Sequence, residues 1–557
     1  MDKRAKIFNF IKGVRYLKRS LLQILILSII VQFLNIISPY YVQIVVDEAV
    51  TTKDTDLLVI LAIGFAFVSI FNSISMYIRS LCITIFGARI SETLSKNVIR
   101  ILLNLPLEYY NGKHVGDIVS RFGSLKNVNK IISKTIVEAC IDILMVVTTL
   151  IVLLIYNYKL SLVVIIGILA YLMIRLAWYR PLRIQAKSNL EVSALENSNF
   201  MENIRAIHSI KYYSMIDNRE RTWLSYYIDS LSGNVKLQNM QSSFSLSKNI
   251  LFGLEGVIVI YLGAIFVIES NSINNFTIGM LIAFMAYKSQ LTSHSSSLID
   301  KFIEYKMLGM HLERLGEITE TETENTGGSF TNLEIKGCIE LSRVSYKYNE
   351  SPIQLLDDIS VRIKQGESVA IVGKSGSGKT TIMNLIIGSV QPQQGSIEID
   401  NVDLKTINIS KYREQIAVVM QTDQLLKGTI AENISCFDST VDMDLVNHCA
   451  DVASVSNDIN SFKDGYSTYI GELGNTLSSG QRQRILIARA LYKRPKIIIM
   501  DEATSHLDIS TEKTISSNIK KLNITRVIVA HRKETIMSAD RIYELSNGKL
   551  MEIKNYT

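Results

Sequence analysis

The chain has 557 residues, 48% of them hydrophobic, with 59 Lys and Arg against 52 Asp and Glu and a formal net charge of +7. It is too long for a single domain and too apolar for an ordinary soluble protein. The five cysteines, Cys82, Cys140, Cys338, Cys436 and Cys449, show neither metal-ligand spacing nor a disulfide framework, and the small basic excess comes without a nucleic-acid-binding module.

Residues 1–19 set Lys3, Arg4, Lys6, Lys12, Arg15, Lys18 and Arg19 among Phe8, Phe10, Ile11, Val14 and Leu17, a pattern that predicts an amphipathic helix lying on a membrane surface. The apolar run behind it is too long for a signal sequence and no small-residue cleavage site follows, so the segment is expected to be retained. Membrane spans are expected at 20–45, 57–87, 132–156, 159–179, 247–269 and 277–299, each long enough to supply the ~20 residues that cross a bilayer core. The basic start, the acidic loop 47–56 and a loop 270–276 without Lys or Arg place both termini in the cytoplasm. Two polar, basic segments separate spans two and three and spans four and five. Their apolar residues keep helical spacing, so the spans should continue as helices beyond the membrane, with a turn where Pro106, Gly112 and Gly116 interrupt 105–122. Lys288, Gln290, Thr292, Ser293, His294 and the serines 295–297 fall in or near the last span. They face a cavity if they lie inside the membrane, or belong to a cytoplasmic extension of that helix.

The expected division is therefore a six-helix membrane domain at 20–316, a polar linker at 317–332 rich in Glu and Thr, and a second domain at 333–557. In the latter, 339–344 and 359–363 alternate as antiparallel strands, and Ser368–Val372 is a buried strand. It runs into Gly373, Lys374, Ser375, Gly376, Ser377, Gly378, Lys379, Thr380 and Thr381. Glycines let consecutive backbone N–H groups converge on an anion, the lysine neutralises outer phosphates, and the Thr380 hydroxyl suits magnesium. The chain should bind a nucleoside triphosphate. The apolar stretch Ile497–Met500 delivers Asp501 to the exposed end of a second buried strand, where a metal held by Thr380 would sit, and leaves Glu502 free for chemistry. Another such strand, 527–530, ends at His531.

Leu477, Ser478, Ser479, Gly480 and Gln481, followed by Arg482-Gln-Arg484 and an apolar helical stretch, resemble the signature sequence of ABC transporter ATPases. That family's other motifs stand around it in the family's order. The resemblance implies an α-helical polytopic membrane domain of the type IV exporter kind followed by an α/β P-loop ATPase, with ATP and Mg2+ as cofactors. It assigns Tyr348 to adenine, with Tyr346 the weaker candidate, and the 373–381 loop to the phosphates. Thr380, Gln421 and Asp501 go to magnesium, Glu502 to the general base, and His531 and Gln421 to the γ-phosphate and attacking water. The signature, and the loop Ser505, His506, Leu507 and Asp508, are implied to complete the site of a second copy, so a homodimer is expected. Two departures stand out: Ser479 replaces the first of the usual two glycines, and His506 an alanine.

The segments 41–48, 115–122, 417–421, 470–474 and 523–532 look like those of colicin V type peptide and bacteriocin exporters. The N-terminal cysteine peptidase usual in those relatives has no counterpart here, so no peptidase activity is expected. The resemblance implies ATP-driven export of a small peptide across the inner membrane of a bacterium. A membrane-fusion adaptor and an outer-membrane channel are further partners it implies where there are two membranes. An exporter of lipids or hydrophobic drugs shares every ATPase motif, and a non-transporting membrane ATPase that regulates or scaffolds a partner is the alternative of another class.

Overall fold

The computed structural model describes residues 17–110, 113, 115–269, 276–324, 334–348, 354–471 and 476–553. The amphipathic helix expected at 1–19 lies almost wholly outside them. The described chain forms two compact units, one of 1–105 with 109–323, the other of 106–108 with 324–557.

The elements up to Thr319 are all helical: α1 (Leu17–Ile44) with a π-helical continuation over Val45–Val50, α2 (Thr55–Leu103), the short α3 (Leu107–Tyr110), α4 (Val115–Lys130), a π-helical turn over Ile131–Thr135 into α5 (Ile136–Tyr156), α6 (Tyr158–Arg205), the short α7 (Ile207–Tyr212), α8 (Ile216–Ile268) and α9 (Ile278–Thr319). Side-chain caps start several of the long helices. Asp54 accepts from the N–H groups of Asp56 and Leu57, Asn157 from those of Lys159 and Leu160, and Thr277 from that of Met280. At 49, 48 and 53 residues, α2, α6 and α8 are roughly 70–80 Å long, more than twice the ~30 Å of a bilayer core. The surplus leaves the membrane. Outside it, α6 and α8 are joined by polar pairs: Asn189 to Asn234 (2.8 Å), Ser193 to Ser230 (3.0 Å) and Glu196 to the Trp223 indole (2.8 Å).

Five described helices are long and apolar enough to cross a membrane, at 19–50, 55–103, 115–156, 158–205 and 216–268. The last expected span falls within α9, 42 residues long, whose apolar character is broken by the polar run from Lys288. That run is interior. Lys288, Ser295 and Ser296 are buried, Lys288 Nζ lies 3.4 Å from Glu255 Oε2, and His294 Nδ1 lies 3.0 Å from Asp142 Oδ1. Because α9 packs its polar face inward, it does not need a uniformly apolar surface.

Between α6 and α8 stand the short α7 and a bend at 213–215. The linker expected from residue 317 starts later, because α9 continues to Thr319. Ile318 is fully buried with Leu105, Tyr109 and Ile118, and that apolar contact holds the last turn helical.

The start of α9 is tied to the end of α1. Asp47 accepts hydrogen bonds from the Thr277 hydroxyl (2.5 Å) and from the Gly279 N–H (2.9 Å). A Cβ at Gly279 would stand 2.6 Å from the Asp47 carboxylate. Gly279→Ala is therefore expected to break this tie and cost roughly 1–3 kcal/mol, read as a lower Tm of the purified protein in lipid; an unchanged Tm would mean that Asp47 moves away freely.

The second unit has two main sheets. β1 (Ile339–Tyr346), β2 (Leu356–Ile363), β4 (Gln394–Ile399) and β5 (Val402–Asp403) form an antiparallel sheet in the order β2-β1-β4-β5. β3 (Ser368–Val372), β6 (Ile416–Val419), β9 (Ile497–Asp501), β10 (Thr525–Val529), β11 (Arg541–Ser546) and β12 (Lys549–Ile553) form the other in the order β12-β11-β3-β10-β9-β6, parallel except at β12. A small pair, β7 (Gly428–Thr429) and β8 (Tyr469–Ile470), stands apart. The helices are α10 (Lys379–Ile386), α11 (Ile409–Gln415), α12 (Ile430–Ile434), α13 (Met443–Val452), α14 (Ser456–Ser461), α15 (Ser479–Tyr492), α16 (Ile509–Lys520) and α17 (Lys533–Met537).

Alternate residues of the central strands enter different cores. Val369, Ile371, Ile497, Ile499, Val527 and Val529 pack on one face of the sheet, and Ala370, Val372, Ile498, Met500 and Ile528 on the other. With both faces covered, the middle of each central strand is apolar and polar residues such as Ser368, Thr525, Arg526 and Asp501 stand at the ends, which explains the hydrophobic runs.

Candidate functional site

Strand register brings the motifs together. Val529 of β10 stands opposite Ile371 of β3 on one side and Asp501 of β9 on the other, and Val419 of β6 stands opposite Met500. The loop after β3, Glu502 after β9, His531 after β10 and Gln421 after β6 therefore leave neighbouring strands at one edge of a parallel sheet, the place where open α/β sheets bind ligands.

The 373–378 loop is shaped by glycine. Gly376 and Gly378 have φ of 76° and 106°, and a Cβ at Gly373 would meet the Leu545 carbonyl oxygen at 2.5 Å. Side chains are excluded on both counts. Lys379 is buried, and its ammonium donates to the carbonyls of Gly373 (2.8 Å) and Lys374 (2.9 Å), which holds a cation at the centre of the loop. Ser377 Oγ is buried without a hydrogen-bond partner among the described residues, an acceptor and donor left for a ligand. Lys374, Ser375 and Gly376 are exposed, and Thr381 is buried with its hydroxyl 3.2 Å from that of Tyr348. Tyr348 is 40% exposed, whereas Tyr346 is 4% exposed and packs edge-on against it. Only Tyr348 offers an open ring face.

Across from the loop, the Thr380 hydroxyl donates to Asp501 Oδ2 at 2.9 Å. Burial pushes the Asp501 carboxyl above its ordinary pKa, against the Thr380 hydrogen bond, and the charge of Glu502 adds to the rise. Glu502 has φ of +51°, a conformation that costs a non-glycine residue on the order of 1–3 kcal/mol and recurs at functional sites. One carboxylate oxygen accepts from Gln421 Nε2 (3.1 Å), and the other lies 3.2 Å from His531 Nε2. Glu502, His531 and Gln421 thus form one constellation. The hard oxygens of Thr380, Asp501 and Gln421 match the ligand preference of Mg2+, and a desolvated carboxylate is the group a divalent cation would compensate.

Asp501→Asn follows from the same burial. A carboxyl whose folded pKa is raised destabilises the fold progressively as pH climbs from the unfolded value, ~3.9, through the folded one. The nucleotide-free variant should melt above wild type at pH 7, the gain shrinking towards acid pH, while ATP hydrolysis is lost. A lower Tm at pH 7 would refute it.

The signature is placed elsewhere. Ser478 caps α15, its Oγ accepting from the Gln481 N–H (3.2 Å) while Gln481 Oε1 accepts from the Ser478 N–H (3.0 Å), so this end of α15 is a capping box. Ser478 and Ser479 are exposed, Leu477 and Gly480 half-buried. Among the described residues, no hydrogen bond or ion pair joins 477–481 to 373–381. A Cβ on Gly480 would meet only ordinary contacts, 3.5 Å or more away, from the 506–507 loop. In that loop, Leu507 is buried, His506 is exposed, and Asp508 caps α16. Hydrogen bonds from Ser510 and the Thr511 N–H hold the Asp508 carboxyl well below the usual carboxylate range.

Three residues outside the sequence-level assignments tie these parts together. Gln483 donates to Ser505 Oγ (3.1 Å) and the Glu502 carbonyl (3.4 Å) and accepts from the His506 N–H (3.0 Å). Arg532 donates to the carbonyls of Ser505 and Leu507 and to the buried Glu512. Gln483 lies on the signature helix three residues after Gly480, a spacing that shares a helix face; no local pattern marks Glu512.

A glycine cradle beside a strand-end carboxylate, in a unit that follows a bundle of bilayer-length helices, defines a membrane protein driven by a P-loop ATPase. Residues 356–505 match the family model described as ABC transporter, and 21–295 the one described as ABC transporter transmembrane region. The chain belongs to the ABC transporter family, as an exporter half-transporter with one membrane domain fused to one ATP-hydrolysing domain that powers transport. Over 547 residues it is 34% identical to the probable microcin-H47 secretion/processing ATP-binding protein MchF of Escherichia coli, covering 97% of this chain and 77% of that one. It is 32% identical to the colicin V secretion/processing ATP-binding protein CvaB of Escherichia coli (98% and 78%), and 31% identical to the leukotoxin translocation ATP-binding protein LktB of Mannheimia haemolytica (98% and 76%). The solved structure of a bacterial Atm1-family ABC exporter with ATP bound shares the fold, with a TM-score of 0.86, 22% identity and coverage of 96% and 94%.

Proposed function

We propose that this chain exports a small bacteriocin- or microcin-like peptide across the cytoplasmic membrane of a bacterium, as a homodimer with both termini in the cytoplasm. The observation that carries the reading is the 34% and 32% identity, over nearly the whole chain, to proteins named for microcin and colicin V secretion. The inward-facing polar run of α9 supports it, since a peptide needs a polar route. In a cell with two membranes an adaptor and an outer channel would complete that route.

In this reading Tyr348 stacks on adenine, and Lys379 exchanges the Gly373 and Lys374 carbonyls for the outer phosphates, with the N–H groups of the loop around them. Thr380, Asp501 and Gln421 would hold magnesium, which would supply charge neutralisation for the phosphates. Glu502 takes the proton of the attacking water, and His531, 3.2 Å away, holds the γ-phosphate in line. The separation of 477–481 from the phosphate loop supports a dimer in which each signature helix closes on the partner's nucleotide. ATP binding then favours the closed dimer and hydrolysis releases it.

ATP turnover of the purified protein in lipid, with small bacterial peptides or with lipids and hydrophobic drugs added, tests the reading. Peptide-stimulated turnover that disappears in Glu502→Gln is the expected result. Stimulation by lipids or drugs and by no peptide would transfer the assignment to a lipid or drug exporter.

A further inference from the structure

The membrane unit holds a cavity of about 1080 Å³ between α2, the α4–α5 helix and α9. Five basic side chains, Arg79, Lys126, Lys130, Lys134 and Lys301, line it against two carboxylates, Glu138 and Asp142. Charged groups at such positions are costly and are retained facing a cavity or one another. Both carboxylates are already engaged. Lys301 Nζ lies 2.7 Å from Asp142 Oδ2 and 3.3 Å from Glu138 Oε2, and His294 takes the other Asp142 oxygen. Lys126, Lys130 and Lys134 recur at every fourth position and so share one helix face. Lys130 and Lys134 are only loosely paired, 3.6 Å from Glu304 and 3.9 Å from Glu138.

Two polar atoms of the lining have no hydrogen-bond partner among the described residues: Arg79 Nη1, a charged donor, and Asn129 Oδ1, an acceptor. Asn129 is 7% exposed, and its amide nitrogen is committed to Ser91 (3.0 Å) and Ser95 (3.3 Å), which leaves its oxygen for an N–H donor. Arg79 is half-buried with Asp142 and Glu138 among its charged neighbours, yet its Nη1 donor and the enclosed Asn129 oxygen are each costly until a ligand pairs them. Their complements are a carboxylate and an N–H, both present in an acidic peptide.

We propose that this cavity is a cargo subsite for a carboxylate, with Arg79 pairing the acid and Asn129 accepting a neighbouring N–H. That the acid is carried on a peptide rests on the export reading above.

The test measures binding to the full chain in lipid nanodiscs without nucleotide. One pair of probes is a short peptide bearing glutamates and its glutamine twin; a second is a hydrophobic carboxylic acid and its primary amide. The glutamate peptide should bind at least about tenfold tighter than its twin, roughly the effect of one desolvated charge pair. The preference should vanish in Arg79→Gln and persist in Arg79→Lys. In Asp142→Asn, which releases His294 and leaves Lys301 with Glu138 alone, it should grow, an outcome misfolding cannot mimic. A preference for the acid over its amide, Arg79-dependent, with none between the peptides, keeps the carboxylate site and rejects peptide cargo. Equal binding within both pairs, or a preference unchanged in both Arg79→Gln and Asp142→Asn, overturns the proposal.

Discussion

Glutamine in place of Glu502 is expected to slow ATP hydrolysis by roughly 10²–10⁴-fold, the usual contribution of a positioned general base, while ATP binding survives. The substitution is isosteric, and glutamine tolerates the +51° φ no worse than glutamate. Lys379, Thr380 and Asp501, the contacts assigned to phosphate and magnesium, are untouched. What changes is the group that accepts the proton and its link to His531, 3.2 Å from one carboxylate oxygen. Single-turnover hydrolysis and nucleotide binding, measured on the same preparation, separate the two effects. Turnover near wild type would remove Glu502 from this role, and loss of binding with turnover would make it a structural residue of the loop. His531→Ala should lose less than Glu502→Gln, because positioning by one imidazole is shared with Gln421, which donates to the other carboxylate oxygen.

The parts of this molecule that could be read from the chain are those whose physics is local. A strand buried on both faces is largely a continuous apolar run, so Ser368–Val372, Ile497–Met500 and Val527–Ala530 announce themselves, and the residue after each, Gly373, Asp501 or His531, marks the end that faces the site. Glycines around Lys379 mark a loop that no side chain could enter, and the structure gives the reason in the Leu545 carbonyl 2.5 Å from where a Gly373 Cβ would stand. What a local pattern cannot carry is strand order. That β10 lies between β3 and β9, bringing His531 to Glu502, is a property of the sheet. The same limit hid the pairing of Lys288 with Glu255 and of His294 with Asp142: the polar run on α9 was visible, its partners on other helices were not. The Glu- and Thr-rich composition after residue 316 suggests a linker, while one buried side chain, Ile318, is enough to hold another turn of α9.

Alanine in place of Glu512 is expected to cost roughly 1–3 kcal/mol, the effect of leaving enclosed donors without their acceptor, since the charged partner Arg532 is itself 36% exposed and stays in reach of water. Glu512 is 2% exposed. It accepts from the hydroxyls of Thr504 (2.9 Å) and Thr535 and from Arg532 Nη1 (3.1 Å). Truncation leaves two hydroxyls and part of a guanidinium without their acceptor. Glutamine keeps the volume and one acceptor oxygen but not the charge, so Glu512→Gln should recover part of the loss. The consequence reaches the nucleotide site, because Arg532 also holds the Ser505 and Leu507 carbonyls. That loop sits between Glu502 and α16, against Gln483 of the signature helix. Loosening Arg532 frees the loop and the neighbouring His531 together. The expected signature is a lower Tm with a fall in turnover larger than the fall in ATP affinity, since the phosphate loop makes none of these contacts. Glu512→Ala unfolding like wild type would show that Arg532 finds another acceptor; a matched loss of ATP affinity would show that the damage spreads through the whole sheet.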